Sequence, residues 1–303
     1  MLNDTARQVI YLRAPFDLAI TAAVARRLPS NVLYPIHDGE LRVVMSHGDE
    51  NWLIGVRQTG PRAVAYRTLG SALSDRRQAT IEANVRRLLG LDVDLEPLRA
   101  LLAHEPVLGL LAQRMSGMFP PRFLSLWESF VQVIPFQQVS LAAAMTMVNR
   151  LALAYGPRVR FEDKEYVGAP DVNRVRAAPI TTLRECGLSA TKAMALRECA
   201  DWIITGKVSE DRLAGMTDAE AERLLCTLPG IGPWSAQLVL LRGMGRLGRF
   251  PVGDSGAARG LREVFAEATP DPNAAAAAAL ERLGAWRGYL YFMLLARKYV
   301  TAT

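Results

Sequence analysis

Apolar positions follow two rhythms along the chain, and the change falls near residue 95. Before it, short apolar runs are broken by turn residues. Leu41-Arg-Val-Val-Met45 and Trp52-Leu-Ile-Gly-Val56 read as strands joined by the polar stretch Ser46 to Asn51, and Val64-Ala-Tyr-Arg-Thr68 is a third strand candidate. Phe16 to Leu28 and Ser71 to Leu89 carry helical spacing, the first with Asp17 in its opening turn, the second stopped by Gly90. The segment 1–95 is therefore expected to be an antiparallel sheet backed by helices.

From Asp94 onward the spacing is helical almost throughout. Leu126 to Val133, Leu141 to Ala154 and Ser255 to Phe265 read as helices, and the alanine run Ala274 to Ala279 is a strong helix former. Capping-box signals recur at Ser125-x-x-Glu128, Thr182-x-x-Glu185 and Thr217-x-x-Glu220, and Gly187 and Gly206 suit positions just past helix ends. The expected class is α+β: an N-terminal sheet domain over 1–95, and a mostly helical region over 96–303. No repeat or low-complexity linker separates them, so they are expected to pack tightly.

The stretch Leu228-Pro-Gly-Ile-Gly-Pro-Trp-Ser-Ala236 interrupts the helical pattern. Gly230 and Gly232 flank one apolar residue, and Pro233 opens the next helix. Such a turn between two short helices exposes backbone N–H groups that no carbonyl inside the helix can accept. It is a helix–hairpin–helix, able to grip a nucleic-acid phosphate without reading sequence. A tight interhelical turn in any helical protein has the same local signature.

Just beyond lies the Gly/Pro loop Phe250-Pro-Val-Gly-Asp-Ser-Gly256. Its Asp254 is a candidate catalytic carboxylate, because a negative charge beside a sugar C1′ stabilises the oxocarbenium character that develops as an N-glycosidic bond breaks. Aspartate before a helix is also a preferred N-cap, and one residue can serve both ends.

Charge narrows the partners. The net charge of +6 favours a polyanion, and half the residues are apolar, which excludes a disordered chain. The cysteines Cys186, Cys199 and Cys226 are odd in number and lack a C-x-x-C pair, against a disulfide framework and against a four-cysteine zinc or iron–sulfur site. A reducing, cytoplasmic and nucleoid-associated setting is expected, with no signal peptide, no membrane partner and a monomeric chain. Tyr289 to Ala296 is too short to cross a bilayer. His37, His47 and His104 are scattered without metal spacing.

Hairpin, helix, Gly/Pro loop and aspartate in that order resemble the helix–hairpin–helix DNA glycosylases. The variant Leu228-Pro-Gly-Ile-Gly-Pro-Trp234 followed by Leu241-Arg-Gly243 and Phe250-Pro251 is similar to the bacterial 3-methyladenine DNA glycosylase II (AlkA) family. Ala14-Pro-Phe-Asp-Leu18, Leu91-Asp-Val-Asp-Leu95, Pro120-Pro-Arg-Phe123, Gln137-Gln-Val-Ser140 and Trp286-Arg-Gly-Tyr289 extend the likeness over nearly the whole chain. It implies two helical lobes with a cleft between them, double-stranded DNA with damaged bases as partner, and base excision with Asp254 as the catalytic group. The alternatives are a bifunctional glycosylase/lyase and a binder of damaged DNA without activity.

The resemblance also implies roles for particular positions. Relatives that cut the backbone carry a lysine two residues after the second hairpin glycine, where it attacks C1′ as a Schiff-base nucleophile. Trp234 stands there, so the chain reads as monofunctional, with Lys192 and Lys207 as solvated lysines. Trp234 can stack on an extruded cationic purine or be a core tryptophan. Gly230, Gly232 and Trp234 supply amides to phosphate. Arg242, Arg246 and Arg249 are backbone contacts or an ordinary basic face. The pair Met118-Phe119, with Pro120 beside it, is the wedge that fills the gap left by the flipped base, or else loop residues tucked into the core. Gln138 belongs to the pocket motif, and Pro135 is expected to kink the helix before it. Where well-known members have aromatic pocket residues, this chain has Val24, Leu238, Leu295 and Ser255, so a wider pocket is expected. No cofactor is required; a structural Na⁺ or K⁺ on the carbonyls of Cys226, Leu228 and Ile231 is implied by the resemblance alone.

Overall fold

The structure, a computed structural model, describes residues 7–70 and 75–300. The first part contains β1 (Gln8–Tyr11), α1 (Leu18–Arg26), β2 (Ile36–His37), β3 (Glu40–His47), β4 (Glu50–Gly60), β5 (Ala63–Leu69) and α2 (Asp75–Leu89). There follow α3 (Glu96–Leu102), α4 (Pro106–Arg114), α5 (Leu126–Val133), α6 (Leu141–Tyr155), β6 (Arg158–Phe161) and β7 (Lys164–Val167). The remainder is helical: α7 (Val172–Ala177), α8 (Ile180–Glu185), α9 (Ala190–Ile204), α10 (Glu210–Ala214), α11 (Asp218–Cys226), α12 (Pro233–Leu238), α13 (Ser255–Phe265), α14 (Pro272–Leu283) and α15 (Arg287–Val300). It is an α+β fold, mostly helical, with the small antiparallel sheet at the N-terminal end. The expected helix start at Ser71 lies outside the described residues.

The sheet has the order β1-β5-β4-β3-β2, antiparallel throughout. β3 and β4 pair from Leu41↔Val56 to His47↔Glu50, which leaves Gly48 and Asp49 as a two-residue turn with Gly48 at φ +59. Strands therefore run further into the Ser46–Asn51 connection than the apolar runs alone indicate. One face of the sheet carries Val43, Met45, Ile54 and Val56 into the main core with α1 and α2. The other face, with Val44, Leu53 and Leu69, is covered by Tyr166, Val159 and Phe161 of the β6–β7 hairpin. Covering on both faces explains why β3 and β4 read as continuous apolar runs.

That second hairpin is a strand pair in a region whose spacing predicts helices. Arg158-Val-Arg-Phe161 alternates exposed and half-buried residues, a period of two over only four residues, too short to stand out against the helical background. Arg42 of β3 lies 5.6 Å from each of the Phe161 and Tyr166 ring centroids and pairs with Glu40 at 3.1 Å. The hairpin is thus fixed to the sheet by stacking and charge as well as by apolar area.

Caps decide several helix starts. Asp17 caps α1 by accepting from Ile20 N–H, and Thr217 with Glu220 forms the full reciprocal box at α11. Ser125 caps α5, but the box stays half made: the Glu128 carboxylate is turned instead to the Tyr34 hydroxyl and to the Leu124 N–H. Thr182 corrects the expectation more fully, for it sits inside α8 and donates to the Pro179 carbonyl. Gly187 and Gly206 stand just past α8 and α9 with φ +97 and +71.

α5 is buried along all eight residues and forms the axis of the helical part. It ends at Val133 because Pro135 follows, and the chain continues as a 3-10 turn over Ile134–Phe136, a stop rather than a kink. α12 passes into a π-type turn over Val239–Gly243. There Gly243 lies so close to Ser129 of α5 that a Cβ would stand 2.2 Å from its Oγ.

Candidate active site

The hairpin between α11 and α12 is held from below by Leu228 and Ile231, both buried, with the Ile231 N–H donating to the Leu228 carbonyl at 3.0 Å. Gly230 has φ +77, and a Cβ on it would sit 2.7 Å from that of Ala195 in α9. Both the backbone and the neighbour demand glycine. Gly232 differs: its backbone is extended, it caps α12, and nothing lies within 4 Å of where its Cβ would be. The open space faces outward, so the glycine leaves the first amides of α12 accessible to an incoming anion.

Gln137 braces this turn. Its Nε2 donates to the Gly230 carbonyl at 2.7 Å and to the Ser235 hydroxyl at 2.9 Å. Gln138, expected in the pocket, is instead exposed at the tip of the 134–139 segment with φ +54, next to the exposed Val139. Lys192 of α9, expected to be solvated, is half-buried and donates to the carbonyls of Pro135 at 3.0 Å and Gln137 at 2.7 Å. Burial lowers its pKa.

Asp254 caps α13: Oδ1 accepts from the Ala257 N–H at 2.8 Å. Oδ2 accepts from the indole N–H of Trp234 at 3.1 Å. The two readings of Asp254 are thus compatible, one oxygen holding the helix and the other lying against the hairpin helix. Trp234 is half-buried, with its N–H committed to the carboxylate. A further residue, missed in the sequence, fixes the loop: Gln237 accepts from the Val252 N–H at 2.8 Å and donates to Glu222 of α11 at 2.9 Å. The signal for it was only a glutamine three residues past Trp234, which spacing alone does not distinguish.

Of the pocket positions, Val24 and Leu238 are buried, Leu295 is half-buried and Ser255 is exposed. Aromatic rings stand elsewhere: Tyr291 of α15 packs edge-on against Phe250 at 6.2 Å, and Phe136 lies at the base of the 134–139 segment.

Two groups of expected DNA contacts are overturned. Met118 and Phe119 are 1% and 4% exposed. The Ser116–Pro121 segment is pressed against α1: Gly117 meets the Asp17 backbone, Phe119 donates its N–H to Thr21 at 3.2 Å and its ring lies 5.7 Å from Phe16. Tyr289 donates to the Met118 carbonyl at 2.7 Å, and Pro120 is buried against Gly90. The proline stiffness points this pair inward. Arg242 is 5% exposed, stacked at 4.4 Å on Phe123, and burial pushes its guanidinium down to about 10. It is a core residue. Arg246 pairs with Asp218 at 2.8 Å and Arg249 with Glu222, so these too are directed to internal partners.

Among the described residues there is no cluster of three or more His, Cys, Asp or Glu that could hold a metal ion, and no helix long and apolar enough to cross a membrane.

Residues 131–285 match the HhH-GPD superfamily of base excision DNA repair proteins, and the chain belongs to that superfamily. Within it the chain is AlkA-like. It is 24% identical over 257 residues to the DNA-3-methyladenine glycosylase of Bacillus subtilis, spanning 84% of each chain. It is 31% identical over 191 residues to the probable bifunctional transcriptional activator/DNA repair enzyme AlkA of Mycobacterium tuberculosis, covering 58% of this chain and 35% of that protein. The same fold occurs in the 3-methyladenine DNA-glycosylase from Archaeoglobus fulgidus, with TM-score 0.83 and 22% identity over 96% of this chain and 99% of that one.

Proposed function

We propose that the chain is a monofunctional DNA N-glycosylase that hydrolyses the N-glycosidic bond of alkylated or otherwise damaged purines and leaves an abasic site. The observation that carries this reading is the Asp254 carboxylate held by the Trp234 indole at the position where a lyase has its lysine. In this reading Asp254 stays ionised, stabilises the positive charge that grows at C1′ as the base departs, and orients the water that attacks C1′. The water's proton passes to solvent or to the departing base. An alkylated purine already carries positive charge, so its bond breaks without a strong general acid. Lys192 is occupied by two carbonyls, which supports the absence of an imine step.

The hairpin amides around Gly230, Gly232 and Trp234 bind a phosphate of the DNA backbone. With Met118 and Phe119 in the core, the exposed tip Gln138-Val139, braced by Gln137 and Lys192, takes the part of the wedge beside the flipped base. Residues 1–95 buttress the site and 96–303 carry it. The carbonyls of Cys226, Leu228 and Ile231 are hard oxygen donors of the kind Na⁺ or K⁺ takes, although Leu228 shares its carbonyl with the Ile231 N–H. Such an ion would add positive charge for the phosphate.

The test is release of free base from alkylated duplex DNA, run beside strand cleavage at abasic sites. Base release without cleavage is expected. Cleavage would mark a lyase, and binding with no release would mark a damage binder.

A further inference from the structure

Arg27 ends α1 in a conformation that L residues rarely adopt, with φ +65. Glycine or asparagine takes that position with less strain, so the helix end itself gives no reason for an arginine. The backbone is pinned on both sides: the N–H donates to Ala23 and the carbonyl accepts from the Tyr299 hydroxyl at 2.7 Å. The half-buried side chain donates from Nη1 to the Tyr291 hydroxyl at 3.2 Å, with its guanidinium carbon 5.8 Å from the Phe136 ring centroid. No carboxylate forms an ion pair with it among the described residues, in contrast to Arg87, Arg246 and Arg249.

Its two neighbours lead to the site from opposite directions. Phe136 precedes Gln137, which holds the hairpin at Gly230 and Ser235. Tyr291 packs on Phe250, at the start of the loop that carries Asp254. Arg27 therefore links the segment bracing the hairpin to the helix bracing the catalytic loop. Arg242 adds a second positive charge beneath it, while the nearby Glu128 is turned to Tyr34 and burial raises its carboxyl pKa.

We propose that Arg27 is the specificity-determining residue for the extruded base: it selects uncharged purines that present keto or ring-nitrogen acceptors over purines with a formal positive charge. The proposal rests on the glycosylase reading above. A guanidinium has five N–H donors, and Tyr291 takes one. The rest match a purine edge of acceptors, and a base lacking them leaves half-buried donors unpaired. A cationic base meets like charge in a desolvated cleft.

The experiment uses the full chain, with single-turnover excision from two duplexes, one containing hypoxanthine and one N7-methylguanine. Arg27→Asn removes the charge and suits the left-handed backbone; Arg27→Lys keeps the charge and loses the planar fork. Melting temperatures are measured for both. Arg27→Asn is expected to slow hypoxanthine release at least about tenfold and to leave N7-methylguanine release unchanged or faster. Arg27→Lys is expected to slow hypoxanthine release while still disfavouring the cation. If Arg27→Asn slows both substrates by one factor, or neither, Arg27 is only a prop for α1 and the proposal falls. If the unmutated chain releases neither base, the glycosylase reading fails and takes the proposal with it.

Discussion

The indole N–H of Trp234 reaches Oδ2 of Asp254 across 3.1 Å, while Oδ1 of the same carboxylate caps α13. One side chain is thereby oriented by two elements, and each contact can be removed separately.

Asp254→Asn keeps a capping oxygen and removes the charge. DNA binding and melting temperature are expected to hold, while single-turnover excision falls by about a hundred- to a thousandfold, the worth of one preorganised electrostatic contact. Excision near the unmutated rate would remove Asp254 from the chemistry.

Trp234→Phe keeps the ring and loses the N–H. A hydrogen bond to a charged acceptor contributes about 1.5–3 kcal/mol net, so excision is expected to fall by about tenfold or more. Binding to undamaged duplex should stay level. A parallel loss of both would show that the ring, and not its N–H, is what matters.

Borohydride added to the protein with abasic-site DNA is expected to trap no covalent adduct, because no lysine occupies the hairpin position held by Trp234. An efficiently trapped band would reveal a nucleophile elsewhere.

The two hairpin glycines should separate on substitution. Gly230→Ala forces a left-handed alanine with its Cβ 2.7 Å from that of Ala195, at a cost of about 1–3 kcal/mol seen in thermal unfolding. Gly232→Ala meets nothing in the protein. It should melt normally yet bind duplex more weakly, and equal behaviour of the two variants would contradict this division.

Phe119→Ala is expected to destabilise the fold by about 3–5 kcal/mol and to lower excision and binding together, as a core deletion does. Replacing Gln138 and Val139 with alanine should leave stability alone. It should slow excision from paired duplex more than from a mismatched site, where less stacking is lost. Normal excision by this double variant would place the wedge elsewhere.

Helices whose starts carry their own cap and whose apolar spacing is regular were legible residue by residue: Leu126–Val133 behind Ser125 and Ser255–Phe265 behind Asp254. The hairpin turn was legible because glycine geometry is local. What failed depends on partners far away in the chain. Arg242, Arg246 and Arg249 look like a basic stripe until Phe123, Asp218 and Glu222 are brought against them. Met118-Phe119 looks like an outward wedge until Phe16 and Thr21 of the first helical segment close over it. The β6–β7 pair has a reason to be apolar only once the sheet face beneath it exists.

That pair has a mechanical consequence. A strand hairpin rising from the helical region grips the far face of the N-terminal sheet through Tyr166, Phe161 and the Arg42 sandwich. Cutting the chain near residue 95 would strip both partners at once, leaving sticky apolar surface on each fragment. Heat should therefore melt the protein in one cooperative step, and the two parts should travel over DNA as a single stiff body with no hinge between them.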